Sequence, residues 1–142
     1  MGLELYSQIE QELGFEDEIA KLHYEILNLV KKQNPNSLID IGCGLGSFLQ
    51  SLEHTNIKGF GIDLSQNQIN VAISKNLNVA CQDITEVNAT FDCATAIFDV
   101  VNYIKSSDLE YFFHNIYNKL NDNGVFIFDI NTKFGFEDIA QG

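Results

Sequence analysis

The sequence is poor in proline, in cysteine and in positive charge, and each scarcity narrows what the chain can be. One proline in 142 residues, with no low-complexity tract, excludes long linkers and extended disorder. The three cysteines, Cys43, Cys81 and Cys93, are odd in number, widely spaced and without a C-x-x-C pair. Neither a metal site nor a disulfide framework is expected of them, and free thiols suit a reducing cytoplasm. No apolar run approaches the ~20 residues that span a bilayer. The N-terminal Met-Gly-Leu-Glu-Leu-Tyr lacks the basic and apolar regions of a signal peptide, and Tyr6 stands where a myristoylation site needs Ser or Thr. Lys and Arg number 8 against 20 Asp and Glu, a net charge of −12. So acidic a surface repels phosphate backbones, which makes nucleic acid a poor partner and a small molecule or a basic protein a better one. Acidity for solubility alone accounts for the charge equally well.

What remains is 45% hydrophobic and 20% charged, the balance of one soluble globular domain over residues 1–142. Ile19, Leu22, Ile26, Leu27 and Val30 recur at helical spacing, which predicts a helix from Glu16 to Lys32 that stops before Asn34-Pro35. Strands are expected at Ser37–Ile41, Ile57–Ile62, Leu77–Cys81, Phe91–Phe98 and Val125–Ile130. Between them, helices are expected over Ser47–Glu53, after a capping box at Ser65-x-x-Gln68, and after a second box at Ser107-x-x-Glu110. The last helix would carry Leu109, Phe112, Phe113, Ile116 and Leu120 inward and end at the turn Asn121-Asp122-Asn123-Gly124. Strand and helix alternate throughout, which implies an α/β fold with parallel pairing and right-handed crossovers.

The most informative stretch runs from Leu38 to Gly46, Leu-Ile-Asp-Ile-Gly-Cys-Gly-Leu-Gly. Three alternating glycines directly after a buried strand permit a tight turn and a ligand touching the backbone. The helix start at Ser47 then offers unpaired N–H groups. Asp40, inside the strand, is a buried carboxylate and costly unless something binds it. In doubly wound sheets, ligands sit beyond the C-terminal strand ends. Those ends carry the glycine loop, Asp63 about twenty residues later, Gln82-Asp83-Ile84, Phe98-Asp99, and Asp129 with Asn131. A polar or acidic residue at each of five strand ends points to one shared crevice.

Asp40-x-Gly42-x-Gly44-x-Gly46, with Asp63 and the stretch Phe98-Asp-Val-Val-Asn-Tyr-Ile104, resembles the motifs of Rossmann-like S-adenosylmethionine-dependent methyltransferases. The NAD fingerprint G-x-G-x-x-G/A fits less well, because its last position is Ser47. The resemblance runs from about Tyr6 to Asn131. It implies a three-layer α-β-α sandwich around a doubly wound sheet of order 3-2-1-4-5, an order that spacing alone does not provide. An N-terminal helical segment (1–35) would precede a core over 36–131.

The resemblance also implies the roles. Gly42, Cys43, Gly44 and Gly46 would let the backbone approach the methionine and ribose part of S-adenosyl-L-methionine. Asp40 would lie under the ammonium or brace the loop. Asp63, with Leu64 beside it, would hold the ribose hydroxyls. Asp83 would accept from the adenine amino group and the Ile84 amide would meet a ring nitrogen. Phe98 and Asp99 would flank the sulfonium. Candidate acid–base residues are Asp99, Tyr103, His23 and Asp129, and the sequence does not choose among them. As bland alternatives, Cys43 fits as a small loop residue, Asp83 as a turn cap, Asp99 as the N-cap of a short helix over Val100–Ile104, and Tyr103 as pocket wall.

The expected activity is methyl transfer to a small-molecule acceptor, yielding S-adenosyl-L-homocysteine, without nucleic acid or membrane partners. A catalytically inert binding module and, more remotely, a NAD oxidoreductase are the competing readings. One departure from the family stands out: after strand five the chain holds only the start of a helix at Phe134–Gly142. Strand five would then be an exposed edge, prone to pair with another chain. Either a truncated domain or a homodimer covering that edge is expected.

Overall fold

The computed structural model describes residues 16–131. The helix start at Phe134–Gly142 and the stretch from Tyr6 lie outside the described residues. Helix α1 (Glu16–Gln33) is followed by β1 (Ser37–Ile41), α2 (Ser47–Ser51), β2 (Lys58–Asp63), α3 (Gln66–Ser74), β3 (Val79–Cys81), β4 (Phe91–Ala96), α4 (Leu109–Tyr117) and β5 (Leu120–Phe128). All pairings are parallel and the sheet order is β3-β2-β1-β4-β5. The expected α/β doubly wound sheet and its order are therefore present.

Alternation along the central strands divides the core into two layers, because successive side chains of a strand point to opposite faces. Leu38 and Cys93 pack with Ile26 and Val30 of α1, with Phe48 and Leu49 of α2, and with Ile69 of α3. Ile39, Ile41, Ala94 and Ala96 face the other way, toward Ile84, Val101 and Ile116 of α4. The apolar stripe of α1 explains its placement. Lys31 and Lys32 in its last turn complement the helix dipole, and Asn34 closes it with a φ of 50° ahead of Pro35. Ser65 caps α3 by accepting from the Gln68 N–H at 3.4 Å. No helix among the described residues is long and apolar enough to cross a membrane.

The boundaries differ from expectation where long-range contacts override local pattern. α2 ends at Ser51, β2 begins one residue late at Lys58 and extends through Asp63, which pairs with Cys81, and β3 begins at Val79 because the Leu77 N–H closes the end of α3 onto Ala72 O at 3.3 Å. β4 stops at Ala96 instead of Phe98, since Phe98 and Asp99 both turn left-handed, with φ of 65° and 67°. Asp99 is not an N-cap: the short 3-10 turn spans Val101–Tyr103 with Val100 at its cap. Ser107 lies inside a 3-10 turn (Ser106–Asp108), and Asp108 stands at the start of α4.

Asn121–Gly124 does not stop a helix. Helix α4 ends at Tyr117, and Leu120 already pairs with Phe91 in the sheet. The next register pair is Cys93 with Val125, so two steps of β4 oppose five of β5 and the extra residues form an irregularity in the strand. Asn123, at φ 65°, supplies the left-handed residue that such a kink needs, and the Asn121 amide donates to Asp92 at 2.9 Å.

Candidate functional site

The C-terminal strand ends converge on a cavity of about 630 Å³, the size of a small-molecule site. Its wall includes His23 from α1, Asp40 of β1, Gly42, Cys43 and Gly44 of the following loop, and Asp63 and Leu64 at the end of β2. Asp83 and Ile84 follow β3, and Phe98, Val100 and Tyr103 follow β4. Four of the expected residues, Gly46, Asp99, Asp129 and Asn131, are not on this wall. Gly46 faces the core, where a Cβ would come 2.3 Å from Leu77 Cδ1. Asp99 and Asp129 are occupied with each other's surroundings, as described below.

The glycine loop is tied to β2. The Ile62 carbonyl accepts from the Gly42 and Cys43 N–H groups at 2.8 and 2.9 Å. The Asp63 carboxylate accepts from the Gly44 N–H at 2.9 Å on one oxygen and from the Ser65 N–H at 2.8 Å on the other. One side chain thus joins the loop, the strand end and the start of α3, and a carboxylate that accepts one bond on each oxygen still has capacity for more. Lys75 holds the loop from the other side by donating to the Leu45 carbonyl at 3.0 Å. At Gly44 the φ of 56° favours glycine, and a Cβ there would push the flexible Gln68 side-chain oxygen, which lies 2.8 Å from that position. Gln68 is itself on the cavity wall, a site residue that its capping-box position in the sequence concealed.

Asp40 is 2% exposed and accepts a hydrogen bond from the Thr95 hydroxyl at 2.7 Å. Thr95 is its register partner on β4, a partner that strand-by-strand reading did not find. Burial raises the Asp40 carboxyl from its ordinary 3.8 to about 7, the Thr95 hydrogen bond opposes this, and the nearby Asp63 charge adds to it. Asp83 accepts from the backbone N–H and the hydroxyl of Thr85 at 2.9 and 2.8 Å, and its own N–H donates to Glu86 at 2.9 Å. It therefore caps the 3-10 turn Ile84–Glu86 while facing the cavity.

Burial holds the His23 imidazole below its ordinary range, so it is neutral at neutral pH, and it packs edge-on against Phe48 at 5.7 Å. Burial and the Asp99 charge raise the Tyr103 phenol, which stays protonated and suits a donor better than a base. Burial pushes the Cys43 thiol up as well, which disfavours a nucleophilic thiolate and leaves Cys43 as a small loop residue.

Asp129, partly buried, turns its carboxylate onto backbone. Its two oxygens accept from the Phe98 N–H at 2.6 Å and the Asp99 N–H at 3.2 Å. The Asp99 carboxylate in turn accepts from the Asn131 amide. Two consecutive non-glycine residues in the left-handed region cost roughly 1–3 kcal/mol each and persist only where their surroundings hold them. Among the described residues no group of three or more His, Cys, Asp or Glu is placed to hold a metal ion.

Comparison with known proteins shows the family. A family model described as a methyltransferase domain matches residues 15–139. A Geobacillus sp. (strain WCH70) protein named as a methyltransferase is 29% identical over 119 residues, covering 78% of this chain and 48% of its own. A carboxy-S-adenosyl-L-methionine synthase of Helicobacter pylori (strain Shi470) is 28% identical over 141 residues, covering 92% of this chain and 58% of its own. The crystal structure of an S-adenosylmethionine-dependent methyltransferase from Clostridium acetobutylicum superposes with a TM-score of 0.77 at 30% identity, over 98% of this chain and 61% of that one. The chain thus spans about half to three-fifths of the length of these relatives.

Asp40 allows a direct check of the site's electrostatics. A carboxyl raised by folding keeps its proton where the unfolded chain has lost it. The ligand-free protein therefore loses stability through this group as pH rises from about 4 toward about 7, by an amount on the order of a few kcal/mol. Asp40→Asn retains an acceptor for Thr95 and removes the charge. In thermal unfolding between pH 5 and 8, the variant is expected to gain on the wild type as pH rises. A difference that does not change with pH would contradict this assignment.

Proposed function

Because the chain belongs to the methyltransferase-domain family, we propose that it binds S-adenosyl-L-methionine in this cavity and transfers the methyl group to a small acceptor, releasing S-adenosyl-L-homocysteine. The observation that carries the reading is the convergence of the Asp40, Asp63 and Asp83 carboxylates on one wall, with no lysine on it among the described residues and no arginine in the chain. That donor set fits a ligand bearing an ammonium, a sulfonium and hydroxyl groups. The name of the Clostridium relative supports the same cofactor.

In this reading the Gly42–Gly44 backbone lies against the methionine and ribose part, with Cys43 and Leu64 as wall. Asp63 accepts from the ribose hydroxyls on its second lone pairs. Asp83 and the Ile84 amide read the adenine, Phe98 closes the reactive side, and Asp40 faces the ammonium. The positive sulfur of the bound cofactor makes the methyl group electrophilic. The protein's part is alignment and exclusion of water. An acceptor that arrives protonated needs a base, and the neutral His23 imidazole suits that role, with Tyr103 as a hydrogen-bond donor.

The acid-lined wall favours a neutral or amine acceptor over a carboxylate or phosphate, whose bidentate recognition calls for arginine. The same charge argues for S-adenosylmethionine itself over a carboxylated form as ligand, in contrast to the Helicobacter relative's name. Three cysteines without disulfides support a cytoplasmic setting.

Calorimetry tests the reading. S-adenosylmethionine and S-adenosylhomocysteine are expected to bind and NAD is not. Asp63→Ala should weaken that binding by about 1–3 kcal/mol, the scale of leaving a buried polar partner unpaired. Unchanged affinity would remove Asp63 from the site, and binding without turnover on a panel of amines would favour an inert module. A second copy pairing along β5 is part of the same proposal, since β5 is the outer strand of the described sheet and Phe128 and Ile130 stand exposed near its end. Sedimentation should then give a species of twice 16.0 kDa, and a monomer at every concentration would contradict it.

A further inference from the structure

We propose that Asp129 is a positioning residue, whose carboxylate fixes Phe98 and Asp99 in their paired left-handed conformation and thereby sets the Phe98–Tyr103 wall of the cavity. The inference rests on the cofactor reading above for its consequence, but its geometry stands independently.

The conformation runs against the backbone preference of a bulky residue. Asp99 tolerates a positive φ, but Phe98 is bulky and the left-handed region is a genuine outlier for such a residue. What holds both residues lies about thirty positions away. Each oxygen of one carboxylate takes one of two successive N–H groups, at 2.6 and 3.2 Å. Hydrogen bonds to an ionised acceptor are stronger than neutral ones, which suits a segment held against its own preference.

The far end of the same segment is fastened to the same place. The Asn102 side chain donates to the Asn131 carbonyl and accepts from the Asn131 N–H, both at 3.0 Å. The stretch from Phe98 to Tyr103 is therefore clamped at both ends to the residues after β5, Asp129 at one end and Asn131 at the other. Between the clamps, Phe98, Val100 and Tyr103 face the cavity. Val100 carries the clamp to the glycine loop, because its Cγ2 lies 2.7 Å from where a Cβ of Gly42 would stand. A shift of the segment changes the surface over Gly42 as well as the Phe98 wall. An acid that sequence position alone makes a substrate-facing candidate thus works through the backbone that follows the neighbouring strand.

Asp129→Asn in the full chain tests this. The variant keeps the size of the side chain but turns an –NH₂ toward one of two N–H donors. Two readings are taken below the unfolding temperature of both proteins. In ¹⁵N-resolved NMR, the Phe98 and Asp99 amide protons should move upfield in the variant, and Gly42 and Val100 should shift with them. In calorimetry, S-adenosylhomocysteine should bind at least tenfold more weakly. A merely structural role would lower the unfolding midpoint and leave that affinity unchanged. Affinity within twofold of wild type, or unmoved Phe98 and Asp99 resonances, would overturn the proposal.

If the wild type itself does not bind S-adenosylhomocysteine, the cofactor reading fails separately. The clamp then stands or falls on whether the Gly42 and Val100 resonances move. Should the variant not fold, hydrogen exchange of the wild type decides. Phe98 and Asp99 amides protected outside any helix or strand support the clamp, and exchange at free-loop rates overturns it.

Discussion

The Asp63 carboxylate is the fastening on which the rest of the site depends. It sits 6% exposed at the last position of β2 and accepts one backbone N–H from the glycine loop and one from the residue that caps α3. Those two amides belong to two successive strand-to-helix turns, after β1 and after β2. A neutral side chain there would leave buried N–H groups short of acceptors, and a buried unpaired donor is costly. The loop keeps its shape because the Ile62 carbonyl, Asp63 and Lys75 hold it at three points, while its positive-φ glycines accept the path those bonds impose.

The same carboxylate couples fold and chemistry. Asp40 is raised to about 7 chiefly because it is buried, and the nearby Asp63 charge adds to the rise. A wall lined by Asp40, Asp63 and Asp83, with no lysine on it among the described residues, suits a ligand that carries positive charge. On the other side of the sheet's centre line, the Asp129 and Asn131 clamp carries backbone strain, with two left-handed residues kept in place by hydrogen bonds. Local strain and uncompensated charge concentrate at the strand ends that face the cavity, while the two apolar layers behind them are conventionally packed.

Much of this was legible in the sequence, because its signals were local. The helix of α1, the strand Ser37–Ile41, the glycine run and the acids at Asp63 and Asp83 each announce themselves within a few residues. The sheet order came from the family resemblance. The features that stayed hidden depend on residues far apart in the chain. Thr95 meets Asp40 across 55 positions, and Phe98 is turned by an acid 31 positions on. Asn121-Asp122-Asn123-Gly124 was misread because a residue tolerant of positive φ serves a strand kink and a helix stop equally well. Gly46 shares its run with Gly42 and Gly44, which points to the ligand, but a Cβ there would meet Leu77 and Ala72.

The most direct measurement is a crystal structure of the protein grown with S-adenosylhomocysteine. The account requires electron density in the cavity, over the Gly42–Gly44 backbone, with the Asp63 carboxylate within hydrogen-bond reach of the sugar hydroxyls. Density at another place on the molecule, with this cavity empty and the Asp63 carboxylate facing only Gly44 and Ser65, would contradict it.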